Sequence, residues 1–153
     1  MSSPEQISAL MSALGPVLQP LQVDGLEDVA TWGVLIDEDL QVIVDFEQKR
    51  NLIVLECEIC ALPDADPVSH YELMLNYNYL WAATGGVRLA ISGPGGEVVQ
   101  LRDISADGLS PSDLADILVG FGEAARAWRE ALTKPSNAPG TASPFSSGQA
   151  IQV

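Results

Sequence analysis

The chain has 153 residues, of which 47 % are apolar, and a net charge of −14 at pH 7. This length predicts one domain with a core large enough to fold without metals or disulfides. The charge argues against nucleic-acid binding, which needs Lys and Arg, and against anionic membrane surfaces. Residues 1–48 contain no Lys or Arg. This part is therefore either a solvated acidic surface or one that attracts a basic partner.

The N-terminal residues MSSPEQ contain neither a basic residue nor an apolar run, so we predict no signal peptide. No segment approaches the roughly 18–20 consecutive apolar residues that a membrane span requires. The two cysteines fit a reducing compartment. We therefore expect a cytoplasmic protein that does not insert into membranes.

The first predicted helix runs from Pro4 to Leu14, with Ser3 as N-cap and Pro4 at the first helical position. Its apolar residues recur three and four positions apart and form one stripe: Ile7, Leu10, Met11 and Leu14. The stripe either packs on the protein's own sheet or stays partly open for a ligand peptide. Val17, Leu18 and Leu21 extend this apolar surface in a second short turn.

An acidic, loop-like segment, Asp24–Ala30, precedes three strands at Thr31–Asp37, Leu40–Gln48 and Leu52–Leu62. Apolar residues alternate along each strand, which indicates a sheet with one packed face. The residues that share a face within each strand are Trp32, Val34 and Ile36; Val42, Val44 and Phe46; and Ile53, Leu55, Cys57 and Ile59. The short connection at Glu38-Asp39 indicates an antiparallel meander.

The second predicted helix starts at Ser69, which has Glu72 at capping-box spacing, and ends near Ala83 before Thr84-Gly85-Gly86. It carries apolar and aromatic residues on more than one side. Such a helix needs more cover than a chain of this size readily supplies. We therefore predict that a second copy of the protein covers it.

A hairpin of strands Val87–Ser92 and Glu97–Ile104 follows, and Ser110-Pro111 starts a last helix with a clear 3.6-residue apolar period. After Lys134 the composition changes to Ser, Pro, Gly and Ala, which predicts one domain at residues 1–134 and a flexible tail at 135–153. The order α-β-β-β-α-β-β-α predicts an α+β fold with helices packed on a twisted antiparallel sheet.

Few residues suggest chemistry. Cys57 and Cys60 have CxxC spacing, but residues three apart in a strand point to opposite faces, so we predict structural cysteines. His70 is the only histidine and has no nucleophile motif near it. We predict no catalytic residue, no metal site and no cofactor. Chance carboxylate pairs among the 21 acidic residues leave a small carboxylate-based enzyme as an alternative.

Four stretches resemble, in the same order, the class I type III secretion chaperones, also called the Tir chaperone or CesT-like family. They are LMLNYNYL, ATGGVRLAIS, EVVQLRDI and FGEAARAWREAL, and the resemblance covers about Pro4 to Leu132. A proline after the first helix and a Tyr-rich second helix depart from the family pattern. The resemblance implies a homodimeric, cytoplasmic bacterial chaperone without ATPase activity. Such a chaperone binds the N-terminal segment of a secreted effector in extended form and delivers it to the secretion apparatus, whose ATPase is a further candidate partner.

The resemblance also implies site residues. The second helix and fourth strand of the family build the dimer, which here implies Leu73, Tyr77, Leu80, Trp81, Val87, Leu89 and Ile91. The first helix and the sheet faces bind effector, which implies Ile7, Leu10, Met11, Leu14, Trp32, Val34 and Ile43. An alternative is an acidic inhibitor that mimics nucleic acid and binds a basic protein.

Overall fold

The computed structural model describes the backbone of residues 1–15, 18–23, 30–37 and 39–134. The helices in these residues are α1 (Pro4–Ser12), α2 (Pro67–Tyr79) and α3 (Pro111–Thr133). The strands are β1 (Gln19–Val23), β2 (Ala30–Asp37), β3 (Leu40–Glu47), β4 (Leu52–Ala61), β5 (Arg88–Ile91) and β6 (Glu97–Ser105). All six form one antiparallel sheet in the order β1-β2-β3-β4-β6-β5. The α+β prediction is confirmed.

Strand β1 is missing from the predicted order. The predicted second short turn is wrong for Leu21, which lies in β1 opposite Gly33 of β2. The segment QPLQV has no alternating pattern, and Pro20 lacks the N–H that a central strand needs, which confines it to a sheet edge. Pairing with β2, a contact that the local sequence does not encode, makes this segment a strand.

Several predicted features lie outside the described residues. These are Val17, residues 24–29 of the acidic loop, Glu38 of the first predicted turn, and the tail at 135–153. The described part of the chain ends at Lys134, so the domain boundary placed there stays a prediction.

The starts of α1 and α3 follow the capping prediction. Ser3 caps α1 by accepting a hydrogen bond from the Gln6 amide, and the Gln6 side chain accepts one in return from the Ser3 amide. Ser110 and Asp113 form the same reciprocal pair at α3. Each pair satisfies amide groups that the first helical turn leaves unbonded, and a proline follows each cap.

Helix α2 differs from its prediction at both ends. Its N-cap is Asp66, not Ser69, and Asp66 adopts a left-handed backbone with φ of 52°. The Ser69 hydroxyl donates to Asp66 Oδ2 at 2.7 Å. Ser69 therefore supports the cap from inside the first turn. The helix ends at Tyr79, and Leu80 to Gly86 form turns rather than the further helical turn we predicted.

All three helices contribute to one core on one face of the sheet. Trp128 of α3 is fully buried, and Tyr77 of α2 packs edge-on against it with ring centroids 5.0 Å apart. Hydrogen bonds from Gln100 and Arg129 join α3 to the sheet. Gln100 of β6 donates to the Phe121 carbonyl oxygen at 2.8 Å. Arg129 donates to the Ile59 carbonyl oxygen at 2.9 Å, beside the register shift between Glu58 and Cys60.

The opposite face of the sheet carries no helix of the described part of the chain. Cross-strand pairing and period-two alternation place a mixed set of side chains on it. We call this the open sheet face, defined by Ile43, Asp45, Val54, Glu56, Glu58, Arg88, Val99, Leu101 and Asp103. None of its apolar members belongs to the core cluster; Val99 is buried, and Ile43, Val54 and Leu101 are partly exposed.

Candidate binding surfaces

The stripe of α1 packs on the protein's own sheet. Ile7, Met11 and Leu14 are at most 2 % exposed and belong to the core cluster. Leu10 is partly buried and packs against the same cluster. Three of the four stripe residues therefore pack inside the protein and are not open to a ligand peptide.

Of the predicted effector-binding residues in the sheet, Trp32 and Val34 are buried among the core residues. Ile43 points the other way and is partly exposed on the open sheet face. Leu10 and Ile43 are thus the members of the predicted set that combine apolar character with accessible surface. The effector-binding role of the whole set stays a prediction.

Leu10 lines a groove of about 540 Å³ between α1 and the turn that connects β6 to α3. Gln6 and Ile7 form one wall, and Leu109 and Pro111 contribute to the other. Asp107 is the carboxylate among its lining residues. The groove therefore offers both apolar and polar contact, including the ion pair between the Met1 ammonium and Asp107, and its lining lacks the converging acids of a hydrolytic site.

The predicted dimer residues divide between core and surface. Tyr77, Val87 and Leu89 are buried in the protomer's own core. Leu80 and Trp81 are 55 % and 69 % exposed. The remaining two, Leu73 and Ile91, are partly buried and pack against the core.

A larger exposed apolar surface lies on α2, on residues that our predicted set omits. Val68, Tyr71, Leu75 and Tyr79 recur at helical spacing and are exposed, whereas Met74 and Tyr77 are buried in the core. Leu75 and Tyr79 are 67 % and 83 % exposed. We call these four residues the α2 ridge. The three-four-four spacing was readable in the sequence once the core-facing side of the helix was known.

Strand β5 lies at a sheet edge, and α2 and the turn after it close part of that edge. The Asn78 side chain hydrogen-bonds to both the amide and the carbonyl of Leu89. The Thr84 hydroxyl donates to the Val87 carbonyl oxygen at 3.0 Å. Main-chain groups that would otherwise accept an added strand are occupied at these two residues.

The thiols and the histidine have structural surroundings. Burial raises the pKa of Cys57 to about 11, so this thiol stays protonated at neutral pH. Burial also raises the pKa of Cys60. The Nδ1 atom of His70 lies 2.9 Å from the Asp66 carbonyl oxygen, at the start of α2. Both cysteines are free; Cys57 is buried and Cys60 is partly buried, and their structural role stays a prediction.

Among the described residues, no three His, Cys, Asp or Glu side chains come together as metal ligands. No helix in the same part of the chain is long and apolar enough to cross a membrane.

Comparison with solved structures identifies the fold. A chain of the ExsC–ExsE complex matches with a TM-score of 0.70 at 18 % identity, over 90 % of this chain and 100 % of that one. A chain of the HopA1–SchA chaperone–effector complex matches with a TM-score of 0.63 at 18 % identity, over 81 % and 93 %. A chain of the complex between the Yersinia pestis type III secretion chaperone SycH and a stable fragment of YscM2 matches with a TM-score of 0.58 at 18 % identity, over 77 % and 95 %.

No curated protein sequence matches the chain significantly. A family model does match: residues 18–129, most of the chain, fit the Tir chaperone protein (CesT) family. The matched residues include the six strands of the described part of the chain, all of α2 and most of α3. The chain belongs to the Tir chaperone protein (CesT) family.

Proposed function

We propose that this protein is a type III secretion chaperone that binds the N-terminal segment of an effector in extended form and delivers it to the secretion apparatus. Membership of the Tir chaperone family carries the proposal. Similar folds occur in a chaperone–effector complex and in a type III secretion chaperone bound to a protein fragment. The chain carries out this role in the bacterial cytoplasm, and the secretion-apparatus ATPase is a further proposed partner.

We propose that the working form is a homodimer in which the α2 ridge contacts a second copy. The charge distribution supports this choice. Each copy carries a net charge of −14, so two copies repel each other over most of their surfaces. Helix α2 contains one carboxylate, Glu72, and presents exposed Leu75 and Tyr79. Burying these residues against the same residues of the second copy removes apolar surface from water and brings few carboxylates close together.

The effector contacts are proposed for two accessible places, the groove beside Leu10 and the open sheet face around Ile43. The buried members of the predicted set, such as Met11 and Trp32, then hold these surfaces in shape from beneath. Because β3 and β4 are paired on both sides, a segment on the open sheet face would gain affinity and specificity from its alternate side chains. Such binding requires no nucleophile and no cofactor.

The alternatives have weaker support. The comparisons lead to chaperones and chaperone–effector complexes, and they give no support to a nucleic-acid mimic or a carboxylate-based enzyme. The raised pKa of Cys57 also makes that thiol a poor nucleophile.

Co-expression with N-terminal fragments of secreted proteins from the same genome tests the proposal. The expected result is a stable complex with a fragment that has no compact fold of its own. The free fragment should show poorly dispersed amide resonances. The bound fragment should be protected from protease. Folded domains from the same secreted proteins serve as controls and should not be captured. If no secreted N-terminal fragment binds, the proposed function is wrong.

A further inference from the structure

The open sheet face carries acidic and apolar side chains in alternation across neighbouring strands. In one row Ile43 lies opposite Glu56, which lies opposite Leu101. In the next row Asp45 lies opposite Val54, which lies opposite Asp103. Each apolar side chain therefore has a carboxylate as its cross-strand neighbour, about 5 Å away.

Part of the negative charge on this face is already compensated. Arg88 forms an ion pair with Asp103 at 3.0 Å, and the Thr31 hydroxyl donates to Asp45 at 2.6 Å. Glu56 and Glu58 are exposed on β4. In the described part of the chain, Arg50, Arg88, Arg129 and Lys134 form their ion pairs with other carboxylates. These two carboxylates are available to a cation from outside the protomer.

The spacing along β4 matches an extended chain. Val54, Glu56 and Glu58 are alternate residues of one strand, so their side chains emerge about 7 Å apart on the same face. An extended segment lying along β4 also presents every second side chain at this interval. Its inward side chains would meet Val54 first and then the two glutamates, with Ile43 and Leu101 on either side.

We propose that the open sheet face binds an extended partner segment in which an apolar residue and two Lys or Arg residues occupy successive alternate positions. This inference rests on the proposed function, because it specifies the chemistry of the effector segment. The carboxylates disfavour pairing of this face with the same face of a second copy, because the carboxylates of the two copies would be brought close together. They also disfavour nucleic acid.

The probe is a synthetic extended peptide with Val, Lys, Lys and Val at alternate positions and Ser between them, titrated into the ¹⁵N-labelled full chain. The expected result is a set of saturable amide shifts on β4 and β6, including those of Val54 and Leu101. Raising NaCl from about 20 to about 300 mM should weaken binding at least threefold, because salt screens exposed pairs. A matched peptide with Gln in place of Lys should bind at least threefold more weakly.

Paired variants make the test specific. Glu56→Gln with Glu58→Gln should weaken Lys-peptide binding roughly three- to tenfold, as expected for two exposed ion pairs. Asp116→Asn with Glu123→Gln removes the same charge from exposed positions of α3 and should leave affinity unchanged. Equal affinity for the Lys and Gln peptides, shifts confined to other surfaces, or an unaffected Glu56/Glu58 variant would overturn the inference. Concentration-dependent shifts of this face without peptide would assign it to self-association and also overturn it.

Failure here is separable from failure of the proposed function. If effector fragments bind the wild-type chain and the Glu56/Glu58 variant equally, the chaperone proposal stands and the open sheet face is not the contact. If the Lys peptide binds at β4 but no effector fragment is captured, the surface chemistry stands and the chaperone proposal fails.

Discussion

The side-chain amide of Asn78 makes two hydrogen bonds with the main chain of Leu89. Its Nδ2 donates to the carbonyl oxygen and its Oδ1 accepts from the amide, both at 2.8 Å. The pair takes the place of the neighbouring strand that β5 lacks on this side. Helix α2 thus has two roles: Asn78 closes part of the edge of the sheet, and the exposed α2 ridge lies beside it on the helix.

Replacing Asn78 tests the edge closure. Asn78→Ala leaves the amide and carbonyl of Leu89 without these partners, so we expect the free energy of unfolding to fall by about 1–3 kcal/mol. The Leu89 amide should also exchange with deuterium faster than in the wild-type chain. Urea denaturation and amide exchange measure the two effects.

Asn76 provides the matched control, because it is an exposed residue two positions earlier on α2. Asn76→Ala should change the stability little and leave the exchange of Leu89 unaltered. Equal effects of the two substitutions would show that the hydrogen bonds to Leu89 contribute nothing particular to the strand.

Two glycines of α3 predict opposite outcomes for the same substitution. A Cβ at Gly120 would meet no atom within 4 Å, so Gly120→Ala should stabilise the protein by about 0.5–1 kcal/mol through helix propensity. A Cβ at Gly122 would lie 2.9 Å from Cγ2 of Ile36 and 3.2 Å from Cδ2 of Leu40. Gly122→Ala should therefore overpack this site by more than it gains in helix propensity, and we expect the free energy of unfolding to fall by about 1 kcal/mol. Thermal unfolding of both variants decides whether the signs differ.

Thiol reactivity should follow the raised pKa of Cys57. A thiol with a pKa of about 11 is deprotonated in only about one molecule in a thousand at pH 8, against about one in ten at the ordinary value of 9.0. Iodoacetamide at pH 8 should therefore modify Cys57 far more slowly in the native protein than in urea. The native rate should rise about tenfold per pH unit up to pH 10. A native rate equal to that in urea would contradict this account of the site.

Charge on the α2 ridge should separate the two copies of the proposed dimer. Leu75 is 67 % exposed in the protomer, so Leu75→Glu should leave the fold intact while placing two carboxylates in the apolar contact. We expect a folded monomer by sedimentation and circular dichroism. Val119→Glu makes the same change at an exposed apolar position of α3 and should remain dimeric. A Leu75→Glu protein that stays dimeric would remove the α2 ridge from the interface.

The sequence allowed most of the fold to be predicted because short-range patterns encode it. Ser3 and Ser110 precede proline at two helix starts, and alternation placed Val44 and Leu55 on the packed face. We missed the start of α2 because its N-cap, Asp66, has a left-handed backbone conformation that no local sequence pattern predicts. Strand β1 was missed because only its pairing with β2 defines it.

The binding surfaces were harder to predict because apolar periodicity does not distinguish a core stripe from a contact stripe. Ile7, Met11 and Leu89 have the pattern expected of either, and the structure buries all three. The α2 ridge carries its own helical spacing, but its outward direction depends on how Tyr77 packs against Trp128. The acidic partners of Ile43 and Leu101 depend on strand register, which no local pattern specifies.

The most direct test of the central claim is the solution mass by light scattering, measured on the chain alone and after co-expression with N-terminal effector fragments. The account predicts a particle of twice the 16.2 kDa chain mass that gains the mass of a captured fragment. A monomer that captures no fragment would contradict both the proposed dimer and the proposed chaperone function.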